Sequence, residues 1–229
     1  MPTLAVDIGG GSIKLVALSP DGALVTETLA EPTPKPATPD AVFKLIRDMA
    51  STLPPHRRVS VGFPGVVKNG VTFNAPNLGD ELWRGVALSE KLAELLQRPV
   101  RAANDVDLQG LGVVRGEGVE MVLTLGTGMG AALFTNGALV PNLELGHHPF
   151  RDGKTYEDLV RDSELKRVGP MEWTTRVLDA LAQIAPIFNY DMLHLGGGNA
   201  QNVRAALPDN VRLFTLAEAM RGAQRLWDA

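Results

Sequence analysis

One pattern constrains this chain more than any other. An apolar strand, a glycine-rich loop, a second strand and a tight hairpin, followed by alternating helices and strands, occur twice in order. The first copy runs through Thr3–Val6, Gly9-Gly10-Gly11 and Ile13–Leu18. The second runs through Met121–Leu125, Gly126-Thr127-Gly128-Met129-Gly130 and Ala131–Thr135, with Asn136-Gly137 turning the chain into Ala138–Val140. Such duplication predicts two related α/β lobes around a central cleft. The boundary is expected near Asn104–Gly118, with an N-terminal lobe over 1–104 and a C-terminal lobe over 105–229.

The remaining punctuation fills in each lobe. Pro20-Asp21-Gly22 is a turn signal that predicts a third strand over Ala23–Leu29. Four prolines between Pro32 and Pro39 make an extended segment, and Thr38-Pro39 reads as an N-cap with proline in the first helical turn. The helix that follows places Val42, Leu45, Ile46 and Met49 on one face. Val59–Phe63 and Pro99–Ala103 are strands, Asn69-Gly70 is a hairpin turn, and Ser89 is expected to cap a helix burying Leu92, Leu95 and Leu96. Helices are expected over Tyr156–Arg161 and Pro170–Ala185, with Pro186 ending or kinking the second. Strands are expected over Met192–Leu195 and Val211–Phe214, before a C-terminal helix.

Composition narrows the chemistry. The 229 residues carry 22 Lys and Arg against 26 Asp and Glu, so no overall basic field points to nucleic acid. The chain has no cysteine, which removes disulfides, thiol catalysis and thiolate metal sites together. No run approaches the roughly 18 apolar residues that would span a bilayer. The N-terminus lacks a basic segment leading into an apolar one, so a cytoplasmic location is expected.

The glycine loops suggest phosphate. Asp7-Ile8-Gly9-Gly10-Gly11-Ser12-Ile13-Lys14 combines a strand-end carboxylate, able to hold Mg²⁺ through water, with glycines that admit phosphate oxygens and a compact cation at Lys14. It is neither a Walker loop, since no Gly-Lys-Ser/Thr opens a helix, nor a dinucleotide fingerprint, since a strand follows. Alone it also reads as a plain hairpin turn. Gly126, Thr127, Gly128 and Gly130 would form a second phosphate loop, and three alternate glycines exceed what a turn needs. Gly196, Gly197 and Gly198 follow a strand, where flat backbone could pass under an adenine or simply make a strand-to-helix turn.

Asn104-Asp105 is the best candidate for a base accepting the proton of a sugar hydroxyl, and the pair also suits an N-cap. Glu144 and His147, flanking Gly146, are placed to bind vicinal hydroxyls or to be exposed loop residues. Arg161, Lys166 and Arg167 could line a basic track for polyphosphate, or form an ordinary exposed helical face.

Taken in order, these segments resemble the ROK family of sugar kinases, within the actin-like ATPase (ribonuclease H-like) fold. The closest likeness is to the polyphosphate glucokinase branch, carried by Asn104–Asp107, Thr124–Phe134 and Leu139–His147. The resemblance implies phosphoryl transfer from ATP or polyphosphate, with Mg²⁺, to the 6-hydroxyl of glucose. It makes Asp7, Gly9, Gly10, Gly11, Ser12 and Lys14 phosphate ligands, Asn104 a sugar contact and Asp105 the base. Glu144 and His147 become sugar ligands, and Gly65, Asn77 and Glu157 are added to the sugar pocket. It also implies a homodimer and closure of the lobes over the substrates.

Two departures stand out. The family's loop hydroxyl position is Gly11 here, with Ser12 one place later, and the zinc site of many members cannot form without cysteine. Competing expectations are a kinase for mannose or an N-acetylated hexosamine, and a catalytically degenerate sugar-binding protein. A transcriptional regulator of the same family is disfavoured because the first strand and loop begin within ten residues of Met1.

Overall fold

The computed structural model describes residues 1–228. It forms two compact units, Met1–Gly112 joined by the segment from Ala217 onward, and Val113–Leu216. The division therefore falls after Gly112 rather than after Asn104, and the last segment returns to the first unit.

The first unit contains β1 (Thr3–Ile8), β2 (Ser12–Leu18), β3 (Leu29–Pro32), α1 (Pro39–Ala50), β4 (Arg58–Phe63), β5 (Val67–Lys68), β6 (Val71–Thr72), α2 (Asp80–Trp83), α3 (Leu88–Leu96), β7 (Val100–Asn104) and α4 (Asp105–Val113). Its main sheet has the order β3-β2-β1-β4-β7. β2 returns antiparallel to β1 across the first glycine loop, whereas β4 and β7 add in parallel. Both faces of β1 are covered, which is why its sequence is a nearly unbroken apolar run. Leu4, Val6 and Ile8 pack with Val42, Phe43 and Ile46 of α1, while Ala5 packs with Val16, Leu18 and Ala223.

Local signals were correct where a side chain settles the backbone. Thr38 accepts from the Ala41 amide ahead of Pro39, and Asn69 and Gly70 take φ values of 51° and 76° in the β5–β6 turn. Two expectations shift. Ala23–Leu29 does not form the third strand; apart from a bridge between Leu18 and Leu24, pairing with β2 begins at Leu29. Ser89 lies inside the first turn of α3, whose N-cap is Ala87, so it caps nothing. Only Leu92 of its three predicted core residues is fully buried; Leu95 and Leu96 pack at the margin.

The second unit contains β8 (Val119–Leu125), β9 (Met129–Thr135), β10 (Ala138–Val140), β11 (Pro149–Arg151), β12 (Lys154–Thr155), α5 (Tyr156–Val160), α6 (Asp162–Phe188), β13 (Met192–Gly196) and β14 (Val211–Leu213). Its main sheet, β10-β9-β8-β13-β14, repeats the first in order and in strand sense. α6 is longer than the sequence predicts, with a break at Gly169 (φ 79°) just before Pro170. Pro186 falls in its last turn, and the helix ends at Phe188 where Asn189 adopts a left-handed cap. Trp173, fully buried, donates its indole N–H to the Val160 carbonyl at 2.8 Å and locks α6 to α5. The strand predicted over Val211–Phe214 stops at Leu213.

This second sheet buries an ionic chain. Glu120, 1% exposed, accepts amide hydrogens from Arg115 (2.9 Å), Gly116 (2.6 Å) and Glu117 (3.3 Å). Its other oxygen lies 2.6 Å from Nε2 of His194, which is wholly buried. Arg212 donates to Nδ1 of His194 at 2.8 Å and to the Val113 carbonyl at 2.8 Å. With Nδ1 accepting, the imidazole proton sits on Nε2 and points at Glu120.

The C-terminal segment forms α7 (Leu216–Met220) and α8 (Gly222–Arg225), two short helices where one was expected. Trp227 donates to Ser60 Oγ at 2.8 Å and lies beneath the guanidiniums of Arg58 and Arg101, 5.0 and 4.9 Å from its ring. Among the described residues, no helix is long and apolar enough to cross a membrane.

Candidate active site

In open α/β sheets, ligands gather outside the carboxyl ends of the parallel strands. In the first unit, register aligns Asp7 of β1 with Gly62 of β4 and Gly62 with Ala103 of β7, so the segments following all three strands emerge at one sheet end. Those segments hold the residues the sequence singles out.

The first loop is a tight turn in which the Gly9 amide donates to the Ser12 carbonyl at 3.0 Å. Buried Thr33 braces it, its hydroxyl donating to the Gly9 carbonyl at 2.5 Å and its amide to the Gly11 carbonyl at 3.2 Å. Lys14 lies 3.4 Å from Asp7, so the two loop charges face each other across the β1–β2 pair. Gly10 is packed against Asn77: a Cβ there would come 2.9 Å from the Asn77 carbonyl oxygen. Gly11 is open, with nothing within 4 Å of a Cβ position.

Gly65 has a similar reason for being glycine. A Cβ would approach the Asn74 carbonyl oxygen to 2.3 Å, while the Asn74 side chain accepts from the Val66 amide at 2.7 Å. Asn104 donates to the Gly65 carbonyl at 3.3 Å and accepts from the amides of Val106 (2.9 Å) and Asp107 (3.2 Å). It therefore caps α4 while reaching the Gly65 loop, which bears out the N-cap reading of Asn104-Asp105. Asp105, half-buried, opens the helix and accepts from the Val106 amide at 2.9 Å. Gly10, Asn77, Gly65, Asn104 and Asp105 are thus joined through direct contacts and one short chain of loops.

The second unit assembles the other group. The Gly126 amide donates to the Gly128 carbonyl at 2.9 Å, closing the loop between β8 and β9. Asn199 stitches this loop to the end of β13, its amide donating to the Leu125 carbonyl at 2.9 Å and its side chain to the Gly126 carbonyl at 3.4 Å. Asp162 adds its own amide to the Gly126 carbonyl at 2.8 Å. Glu157 accepts from the Met129 amide at 2.9 Å, and its carboxylate occupies the space a Gly128 Cβ would need, 2.2 Å from that position.

Gly146 likewise backs onto the Met129 carbonyl. Glu144 and His147 lie 3.4 Å apart. Burial raises the Glu144 carboxyl above its ordinary pKa; His147 offsets part of this and Glu157 adds to it. Two carboxylates, an imidazole and a glycine loop therefore share one corner of the unit.

Other predicted residues fare differently. Thr127, Gly197 and Gly198 are exposed, but Gly196 is buried beneath the ring of Phe214. The basic track does not stand free: Arg161, Lys166 and Arg167 lie 3.8, 2.5 and 2.6 Å from Asp158, Asp162 and Glu164. Thr33, Asn74, Asn199 and Asp162 escape the sequence reading. Of these, only Asn74, in a turn-rich Phe73-Asn74-Ala75-Pro76-Asn77 stretch, carries a local signal.

The repeated five-stranded sheets, with glycine loops between their antiparallel pairs, define the actin-like ATPase fold as sugar kinases use it. The chain belongs to the ROK family, whose profile matches residues 3–155. It is 34% identical over 213 residues to the polyphosphate glucokinase of Mycobacterium leprae, a match covering 89% of this chain and 65% of that one. The chain thus spans about two thirds of that relative's length. Against the Mycobacterium tuberculosis polyphosphate glucokinase it is 33% identical, covering 89% of this chain and 80% of the relative. The crystal structure of an inorganic polyphosphate/ATP-glucomannokinase from Arthrobacter sp. strain KM matches with a TM-score of 0.87 at 31% identity, over 97% of this chain and 96% of that one.

Proposed function

We propose that this ROK-family sugar kinase transfers a phosphoryl group from ATP or polyphosphate to the 6-hydroxyl of glucose, with Asp105 as general base. One observation carries the reading: Asp105 opens a helix at the strand end where Asn104, Gly65, Asn77 and the first glycine loop are linked. A carboxylate held there by its helix accepts the hydroxyl proton as the sugar oxygen bonds to the terminal phosphorus and the bond to the donor's bridging oxygen breaks. On the family resemblance Asn104, Gly65 and Asn77 are read as sugar ligands, and so are Glu144, His147 and Glu157.

Lys14 and backbone amides of the first glycine loop would carry donor phosphates, and Gly126–Gly130 is read as the phosphate loop of its own unit. Asp7 is a partly exposed strand-end carboxylate, an oxygen ligand of the hard type that Mg²⁺ takes together with phosphates and water. Bound there, Mg²⁺ would offset the donor's charge. On the same reading the protein is a cytoplasmic homodimer, which sedimentation at micromolar concentration would check.

The test is steady-state turnover of glucose, mannose and N-acetylmannosamine with each donor. Glucose is expected to give the highest kcat/KM. A preference for another sugar would reassign the acceptor, and no turnover with any pair would support the degenerate sugar-binding alternative raised by Gly11.

A further inference from the structure

The Gly196–Gly198 turn has two different surfaces. At Gly198 and at Gly126, which Asn199 ties to the same corner, a Cβ would meet nothing within 4 Å. Both positions leave room for a ligand to approach the backbone, the Gly126 amide itself being held by the Gly128 carbonyl. Gly196 is the opposite. A Cβ there would lie 2.1, 2.4 and 2.5 Å from Cζ, Cε1 and Cε2 of Phe214, so the tip of the ring rests on the glycine.

The placement follows from the sheet. β13 and β14 are parallel, Leu195 pairs with Leu213, and the Phe214 amide donates to the Leu195 carbonyl at 3.0 Å. The next side chain on β14 is thereby delivered across the end of β13. Carbon atoms in contact sit roughly 3.5–4.0 Å apart, so the Phe214 ring in this position and a purine cannot occupy that face of Gly196 together.

We propose that Phe214 selects the phosphoryl donor: its ring closes the backbone at Gly196 to a nucleobase and leaves Gly126 and Gly198 open, favouring a donor made of phosphates alone over a nucleoside triphosphate. The inference rests on the kinase reading for its consequence in turnover, but the occlusion itself is a binding property. A ring covering a sheet glycine also stabilises a strand pair without selecting anything, and the experiment must separate the two.

Phe214→Ala and the more conservative Phe214→Leu are compared with the parent for binding of ADP and of tripolyphosphate by calorimetry, and for kcat/KM with ATP and with polyphosphate. ADP affinity, and ATP kcat/KM where turnover is present, are expected to rise about tenfold in the Ala variant. The Leu variant should fall between, with the phosphate-only ligands changing less than about threefold. Loss of thermal stability with an unchanged ADP-to-tripolyphosphate ratio in both variants would overturn the proposal. So would weaker ADP binding, which would make the ring a platform for the base. Failure of the kinase reading shows separately, as absent turnover with ADP binding still responding.

Discussion

The two units share one sheet topology but hold their glycine loops by different means. In the first, the loop carries its own charges: Asp7 and Lys14 face each other across the strand pair, and the neutral Thr33 braces the turn. In the second, the loop has no charged residue, and its carboxylate comes from outside, as Glu157 bonded to the Met129 amide. The sheets differ in the same spirit. The first buries only the neutral Thr3 and Ser60 among the apolar side chains around β1, while the second buries Glu120 and His194. A duplicated backbone pattern therefore fixes where the loops emerge, while the charge beside each comes from the loop's own strands in the first unit and from a residue distant in sequence in the second.

Removing the buried acid should separate the units most strongly. Glu120→Ala strands three amides and His194 without their shared acceptor, and breaking such a buried pair typically costs about 3–5 kcal/mol. Urea unfolding should show the loss. A change below about 1 kcal/mol would mean that the chain is no more than a surface pair in effect.

Acid should act in the same place. Burial lowers the His194 pKa below its ordinary 6.5, against the opposing hydrogen bond to Glu120, with Arg212 and Arg115 lowering it further. A folded-state value below the unfolded one means that the unfolded chain binds the extra proton first. Stability is then full above about pH 6.5 and falls as pH drops through the window beneath it. Glu120, also held below its ordinary 4.5 by the Arg115, Gly116 and Glu117 amides and by His194, despite burial opposing them, extends the loss to lower pH. The urea midpoint should decline between pH 7.5 and 5.5, and His194→Asn should flatten that slope.

Gly128→Ala tests the borrowed carboxylate. The new methyl would collide with the flexible tip of Glu157 rather than with backbone, so the fold should survive at a cost of about 1 kcal/mol for the lost hydrogen bond. Sugar KM should rise roughly tenfold with a smaller change in kcat, equivalent to about 1.4 kcal/mol. A KM unchanged from the parent would remove Glu157 from the sugar pocket.

The smallest effect is expected at the first loop. Gly11 faces open space, so Gly11→Ser should leave stability within about 0.5 kcal/mol. Its effect on KM for the donor would show whether the missing hydroxyl matters.

Much of this was readable from residues. Thr38-Pro39, Asn69-Gly70 and Asn104-Asp105 declare themselves because each settles its own backbone within a few residues. The paired glycine loops were legible for the same reason. The Glu120–His194 bond was not, because its partners stand 74 residues apart on strands whose pairing no local pattern reveals. Phe214 over Gly196 was hidden likewise, since only the β13–β14 register brings them together. The third strand was misplaced because the turn at Gly22 marks where the chain reverses but not where pairing with β2 resumes at Leu29.

The proposed phosphoryl transfer rests most on the carboxylate at the start of α4. Glucose phosphorylation by Asp105→Asn, at saturating donor and with glucose binding measured alongside, tests it directly. The expected result is a kcat reduced about 10²–10⁴-fold, the range of general-base contributions, with glucose affinity within about threefold of the parent. A variant that binds glucose and turns it over at the parent rate would contradict the assignment of the base.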